Sequence, residues 1–409
     1  MLKIFDFENQ IKNLFKSESE SEVIVSSVND ALFNLASENA GKKIDLVFTE
    51  KDYIKFGKII TAGLKKACAE YSTLLIEDLD FDHVKNKSFF NFKGEIIIVV
   101  GSKDLISITQ HYASLLKKKV HAVPTEPNNE YLLLNYAKLP TNGVTVTVEV
   151  NTLKSVIIDV EIIKKASDEA FKESFVHVFS KLITLIDYKY RSLITGEQFD
   201  IKGYQNVKNA ISLIAGISSY ENKKELLIYA EAVLFKEKKA SLVLKDGAVE
   251  LFVDALYMFS SELRRGDAIF NATRIISEVY EMLFVNDLTG LLSVPDYNQD
   301  LAFLEKTTGI SARFFRESLE IPTPRRLELI NKVLTKTSDG FKKEIESVLS
   351  ILKVVEKMFG SLFKISDEKP PIYYNSKRQA LLLCTYLNKN VTILSHMRDM
   401  GVLRCVDEK

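Results

Sequence analysis

Glu95-Ile-Ile-Ile-Val-Val-Gly101-Ser-Lys-Asp104 decides the fold class. Its five successive β-branched residues cannot alternate between a buried and a wet face, so the run predicts a strand covered on both sides. It ends on a glycine and passes into a helix-period segment, Leu105–Lys118. The same unit recurs on either side. Apolar runs lie at Ile44–Thr49, Thr73–Glu77 and Val120–Thr125, with helical periodicity over Lys51–Tyr71. Strands alternating with helices of this length predict right-handed βαβ units and an open parallel sheet. Further on, Val144–Val150 alternates with period two, and with Asn151–Lys154 as a turn and Ser155–Val160 it reads as a hairpin.

After about residue 165 the strand signal gives way to helical periodicity. It runs through Asp168–Leu193, Gln205–Ser218, Lys223–Lys236, Ala248–Ser261 and Ile269–Leu283. It continues through Asp300–Thr307, Ser311–Leu319, Arg325–Lys336, Phe341–Phe363 and Ser376–Leu387. Asp339-Gly340 and the pair Pro322/Pro324 read as breaks between helices. The expectation is an α/β N-terminal domain with an open parallel sheet over residues 1–160 and an all-α C-terminal domain over 161–409, with a ligand cleft between them.

Composition bounds the class. Of 409 residues, 46% are hydrophobic and 27% charged, the balance of a globular chain rather than a disordered or fibrous one. Lys+Arg and Asp+Glu both number 55, so no net field draws the chain toward nucleic acid or anionic lipid. The cysteines, Cys68, Cys384 and Cys405, are far apart and form no CxxC pair. They fit a reducing compartment and neither a disulfide framework nor a zinc cluster. The first eight residues, Met1 to Glu8, meet charge at once and lack the apolar core of a signal peptide. No apolar run approaches the roughly 18 residues of a membrane span. The expected location is cytoplasmic.

An open parallel sheet binds ligands beyond the carboxyl ends of its strands. Gly101, Ser102, Lys103 and Asp104 form one such end, leading into a helix whose first amides can receive a phosphate. With one glycine the turn also reads as an ordinary strand–helix connection. Pro124 and Thr125 close the next strand, ahead of Glu126-Pro-Asn-Asn-Glu130.

Five segments in order carry a family resemblance. They are Glu95–Gly101 with its turn, Val123-Pro124-Thr125, Ile157-Ile158-Asp159 followed by Ala166-Ser167, a helix with Lys181 and Asp187, and a C-terminal set. That last set is Ala380–Leu387 and Val391–Leu394, closing on Met400–Leu403. Together they resemble the iron-dependent alcohol dehydrogenase and dehydroquinate synthase-like superfamily, most closely its sn-glycerol-1-phosphate dehydrogenase branch. The resemblance spans nearly the whole chain. It implies the dehydroquinate synthase-like fold, a nicotinamide cofactor on a Gly-Gly-Gly-Ser-x-x-Asp-x-x-Lys loop, and a metal ion held by one Asp and two His.

The residues depart from that pattern where the chemistry lies. The loop is Gly101-Ser-Lys-Asp-Leu-Ile-Ser-Ile-Thr-Gln110, with two glycines replaced and Ser107 and Gln110 in place of the Asp and the Lys. Side chains at 102 and 103 crowd the place of the pyrophosphate, with Lys103 as a compensating point charge. Lys181 sets the register of a Gly-Asp-x-x-x-Lys helix, which puts His177 at the Asp ligand position. The family's two-His stretch falls on residues 270–281, with Arg274 and Glu278 at the His positions. A register anchored on Gly266 places Asp267 near the first position instead. No histidine occurs between His177 and His396, so neither register restores one. Arg274 repels a cation, and with Lys181 it suits a phosphate or carboxylate. Arg274 and Glu278 also read as a plain i, i+4 ion pair. Glu130 fits the family's substrate-facing Asp by spacing.

Other groups have ordinary readings. His177, among Phe175, Val176, Val178 and Phe179, is a general base or a packed imidazole. His111 and His121 flank a helix–strand junction and are expected to face solvent or bond backbone. Lys117-Lys118-Lys119 ends a helix, where cations complement the dipole. Cys68 reads as filler inside a helix.

The sequence thus predicts a catalytically degenerate homologue of glycerol-1-phosphate dehydrogenase without a metal site. It would bind a small anionic ligand, or serve as an interaction subunit of a homo- or hetero-oligomer. The alternative is a metal-free NAD(P)H-dependent reductase of a phosphorylated small molecule, helped by Lys181, His177 or Arg274. An NAD(P) cofactor belongs to the alternative; neither reading includes nucleic acid or a membrane span.

Overall fold

Six parallel strands form one sheet in the order β1-β8-β5-β4-β2-β3. The strands are β1 (Glu22–Val25), β2 (Ile44–Phe48), β3 (Tyr71–Leu75), β4 (Ile96–Gly101), β5 (Lys119–Pro124) and β8 (Ser155–Ile158). β6 (Tyr136–Thr141) and β7 (Val144–Glu149) pair antiparallel as a separate ribbon. The computed structural model describes residues 7–16, 21–84, 91–128, 132–141, 144–215, 220–240, 244, 247–259, 264–285, 295–359, 377, 379–387 and 391–403.

β4 lies between β5 and β2, and all six of its residues are buried, as its unbroken apolar run predicts. Helices α2 (Val28–Glu38) and α3 (Glu50–Lys66) share one core with it. Leu32, Leu46, Phe48, Phe56, Ile60, Ile98 and Val100 in that core are at most 1% exposed, and each such side chain stabilises the fold by about 1.5–3 kcal/mol. Gly63 lets α3 lie close to α2, since a Cβ there would come within 2.6 Å of the Asn29 carbonyl oxygen. α5 (Lys103–Leu115) packs on β4, β5 and β6.

Three local expectations are corrected. β7 does not turn back into β8: it pairs with β6, and β8 joins the main sheet between β5 and β1. Thr141 pairs with Val144, and Asn142-Gly143 between them is the sequence signature of a two-residue hairpin. The period-two stretch is a hairpin strand, and its partner is β6 on its N-terminal side. The helix expected over Lys51–Tyr71 ends at Lys66. Cys68 follows with φ 54°, its amide bonded to the Lys65 carbonyl and that of Ala69 to Leu64. That reversal starts β3 at Tyr71 and leaves Cys68 exposed rather than inside a helix.

The break expected at Asp339-Gly340 does not occur. A single helix, α14 in chain order, runs Pro324–Phe359. Glycine in a helix costs about 1 kcal/mol relative to alanine. Ile330, Leu334, Phe341, Ile345, Val348, Leu352 and Val355, all at most 5% exposed, form a continuous buried stripe at helical spacing that outweighs it. Pro324 opens that helix at the position where a missing N–H is harmless.

The remaining helices are α1 (Phe7–Leu14), α4 (Phe81–Val84), α6 (Val160–Ile163), α7 (Asp168–Thr195), α8 (Ile201–Ala215), α9 (Tyr220–Ala240), α10 (Ala248–Phe259), α11 (Arg265–Val285), α12 (Tyr297–Thr308), α13 (Ala312–Ser318) and α15 (Ile393–Asp399). Among the described residues, no helix is long and apolar enough to cross a membrane. The chain forms two compact units, Met1–Phe175 with Asn209–Ala240, and Val176–Lys208 with Ser241–Lys409. Residue 160 marks the change from strands to helices rather than the division between units. α9 returns to the first unit, where Lys224 pairs with Asp168 at 3.3 Å and Glu225 with Lys164 at 2.6 Å.

Candidate functional site

At the carboxyl edge of the sheet, β2, β4 and β5 deliver three short segments to one place. Thr49 caps α3 and donates its hydroxyl to Asp52 Oδ2 at 2.7 Å, while the Asp52 amide returns a bond to Thr49 Oγ1 at 3.1 Å. Thr125, just past β5, donates its amide to the Gly101 carbonyl at 3.0 Å and its hydroxyl to Asp52 Oδ1 at 3.4 Å. Gly101 ends β4, and Ser102 is the N-cap of α5 with no side-chain cap bond. Lys103 reaches Glu173 Oε1 at 3.1 Å, with the two side chains 13% and 26% exposed. Asp104 stands in the first turn of α5.

The electrostatics of this edge are those of an acidic cluster. Burial raises the Asp52 carboxyl above its ordinary range, against the opposing bonds from Thr49 and Thr125 and the charges of Lys51 and Lys55. Glu126 is pushed up to about 7: burial is the main cause, Lys103 opposes it, and Glu173, Asp104 and Asp52 add to it. Glu126 thus feels three other carboxyl groups and Lys103, whose ammonium is held by Glu173, while Lys51 and Lys55 act on Asp52. A group titrating near 7 can exchange protons at neutral pH.

The protein's own side chains crowd the Gly101 turn. A pyrophosphate-binding glycine leaves a bare face for the phosphate, but a Cβ on Gly101 would meet Leu105 Cδ2 at 2.7 Å and Asp52 Oδ2 at 3.0 Å. The face is filled by the protein's own leucine and carboxylate. Asp52, Glu126 and Glu173 complete a cluster that the sequence reading centred on Gly101–Asp104 and Pro124–Thr125. The signal for Asp52 is the Thr49-x-x-Asp52 spacing after a strand, a helix-start pattern aimed at this edge. Glu130 lies outside the described residues.

The other candidates belong to the second unit. His177 is 5% exposed on α7. Lys181, fully buried, binds Glu250 Oε1 at 2.5 Å. Glu250 is held in turn by the Thr184 hydroxyl at 3.3 Å and the Gly247 amide at 3.1 Å. Lys181 is therefore not a free cation for an anionic ligand, which corrects that part of the expectation. Arg274 and Glu278 form the i, i+4 pair on α11, at a loose 3.9 Å and with side chains 35% and 48% exposed. Asp267 accepts from Arg264 Nε at 2.8 Å. The donor set does not suit a transition metal, because Arg274 cannot ligate and Glu278 faces it. Among the described residues, no three His, Cys, Asp or Glu side chains converge on a metal position.

Two further expectations change. His121 is buried and 2.7 Å from Ser155 Oγ, because the parallel register places His121 beside Ser155. His111 packs edge-on against Phe81, with centroids 5.2 Å apart.

No protein-family model and no curated protein sequence matches the chain. Solved structures do. A sulfoacetaldehyde reductase from Bifidobacterium kashiwanohense, solved in complex with NAD+, superposes with a TM-score of 0.62 at 10% identity, over 97% of this chain and 99% of that one. A probable glycerol dehydrogenase from Sinorhizobium meliloti 1021 gives 0.58 at 11%, over 96% and 98%. An iron-containing alcohol dehydrogenase from Thermotoga maritima gives 0.51 at 13%, over 95% and 98%. The chain has the iron-containing alcohol dehydrogenase fold, also called dehydroquinate synthase-like, as the resemblance implied.

Proposed function

We propose that this chain is a catalytically degenerate homologue of the polyol and alcohol dehydrogenases whose fold it shares. It keeps the architecture without the hydride-transfer site and is free to serve as a ligand-binding or partner-binding body. The observation that carries the reading is the charge around Gly101–Asp104. A nicotinamide dinucleotide would bring a doubly negative pyrophosphate beside Glu126, Glu173, Asp104 and Asp52, where Lys103 is already paired with Glu173 at 3.1 Å and Lys51 and Lys55 face Asp52. Closeness to glycerol-1-phosphate dehydrogenase rests on the sequence resemblance alone. The rival, a metal-free NAD(P)H-dependent reductase, needs an electrophile, and Lys181 is spent on Glu250.

The test is direct. Calorimetric titration with NAD+ and NADP+ should give millimolar binding or none, and elemental analysis should find no stoichiometric zinc, iron or nickel. Glycerol 1-phosphate and glycerol should not reduce NAD+ even with added zinc or nickel. Micromolar dinucleotide affinity, or turnover well above a Lys181→Ala, Arg274→Ala control, would return the chain to the dehydrogenases.

A further inference from the structure

The opposite edge of the sheet holds a different kind of site. Where β4, β5 and β8 begin, a cavity of about 650 Å³ opens against the C-terminal half of α2. That volume suits a small organic ligand. Six lysines and three glutamates line it, a strong local excess in a chain whose net charge is +0. Helix ends explain part of the excess. α2 and α5 both finish here, and each C-terminus carries about half a negative charge. Roughly two positive charges remain unbalanced after both helix ends are counted.

The lysines are not equivalent. Lys118 is committed to the protein, donating to the carbonyls of Phe92 and Gly94 at 2.5 Å each. The side-chain ammonium groups of Lys93, Lys117, Lys119 and Lys154 have no hydrogen-bond or ion-pair partner among the described residues. Lys117 holds a left-handed conformation, φ 54°, at a helix end where glycine is the ordinary choice. His121 and Ser155, 8% and 1% exposed, also line the cavity. Burial, with Lys154 and Lys119 adding to it, holds the imidazole down to about 4. At neutral pH it therefore offers hydrogen bonding rather than charge.

We propose that this pocket binds a phosphate-bearing small molecule carrying at least two negative charges. Unpartnered ammonium groups supply charge-assisted bonds to phosphate oxygens, and the apolar wall from Ile24, Ala31 and Leu35 accepts the organic body. The assignment is independent of the cofactor turn, which lies at the other end of the strands.

Calorimetry on the full chain at low salt, with inorganic pyrophosphate and separately with ADP, tests it. Binding of either probe is expected, and it should weaken as salt screens the exposed charges. The double variant Lys119→Gln, Lys154→Gln should lower affinity at least about tenfold. Lys336→Gln, Lys343→Gln, an equal loss of charge on α14, should leave it unchanged. Lys117→Gly separates binding from folding, because it relieves a left-handed residue while removing a charge. It should raise the melting temperature and weaken binding. Absence of binding by both probes, or equal loss in the α14 control, would overturn the proposal.

Discussion

Replacing Glu250 with Leu is expected to lower the unfolding free energy by about 3–5 kcal/mol, because it removes the carboxylate paired with a buried ammonium. Lys181 has a side-chain exposure of 0% and Glu250 of 13%, at 2.5 Å. Taking both charges out of water is costly, and the pair repays that cost only while both partners are present. The double variant Lys181→Met, Glu250→Leu should therefore recover most of the loss, since neither charge is left alone. Urea unfolding of wild type, both single variants and the double variant closes the cycle. A double variant no more stable than Glu250→Leu would contradict the argument. If Lys181→Met instead left stability intact and abolished binding of an anion, Lys181 would be a ligand group after all.

That experiment bears on function. Lys181 and Asp187 are the two positions of the α7 motif that match the family resemblance, and both are tied into the helical unit. Packing accounts for both: Lys181 fastens α7 to α10 through Glu250, and Asp187 fastens it to three other elements.

What the sequence disclosed follows from the range of each interaction. β4 is legible because burial on both faces leaves an unbroken apolar run, and β2 and β5 come close to it, interrupted by Asp45 and by His121. β1 gives no such signal: Glu22-Val-Ile-Val25 is four residues long beside the acidic run 17–22. β8 reads as a strand, yet its parallel partners are fixed by packing far along the chain. The helices are legible wherever an apolar stripe persists, and the α14 stripe overrode a local glycine. The candidate site divides in the same way. Gly101–Asp104 and Pro124–Thr125 follow from where strands end. The partners that change their meaning do not: Glu173 lies 70 residues from Lys103, and Glu250 lies 69 from Lys181. A spacing reveals which side chains share a helix face; it carries no information on a carboxylate brought in by the tertiary fold. The lysine triplet 117–119 was readable as a helix end, but its conjunction with Lys93 and Lys154 required β4 and β8 to be placed beside it.

Asp187→Ala should be the most damaging change to a polar residue in the helical unit. Asp187 is fully buried, and it accepts the Tyr280 hydroxyl at 2.7 Å, the Ala248 amide at 2.9 Å and the Ile393 amide at 3.1 Å. One carboxyl group thus joins α7 to α10, α11 and α15, and its loss leaves three buried donors, each costing about 1–3 kcal/mol if unsatisfied. The same residue gives stability a pH dependence. Burial pushes its carboxyl up to about 6 despite the three donors, against 3.8 for an ordinary aspartate. The folded state therefore holds this proton more tightly than the unfolded chain. Its contribution is complete below about 3.8 and declines as pH rises through about 6, by an amount on the order of 3 kcal/mol. Chemical denaturation at pH values on both sides of this window should show wild type exceeding Asp187→Ala by more at the acidic end than at pH 7. A constant difference would place the pH dependence elsewhere. An unchanged unfolding midpoint in Asp187→Ala would refute the role of this carboxyl as the tie between the helices, because no other described group accepts from these three donors in the same place.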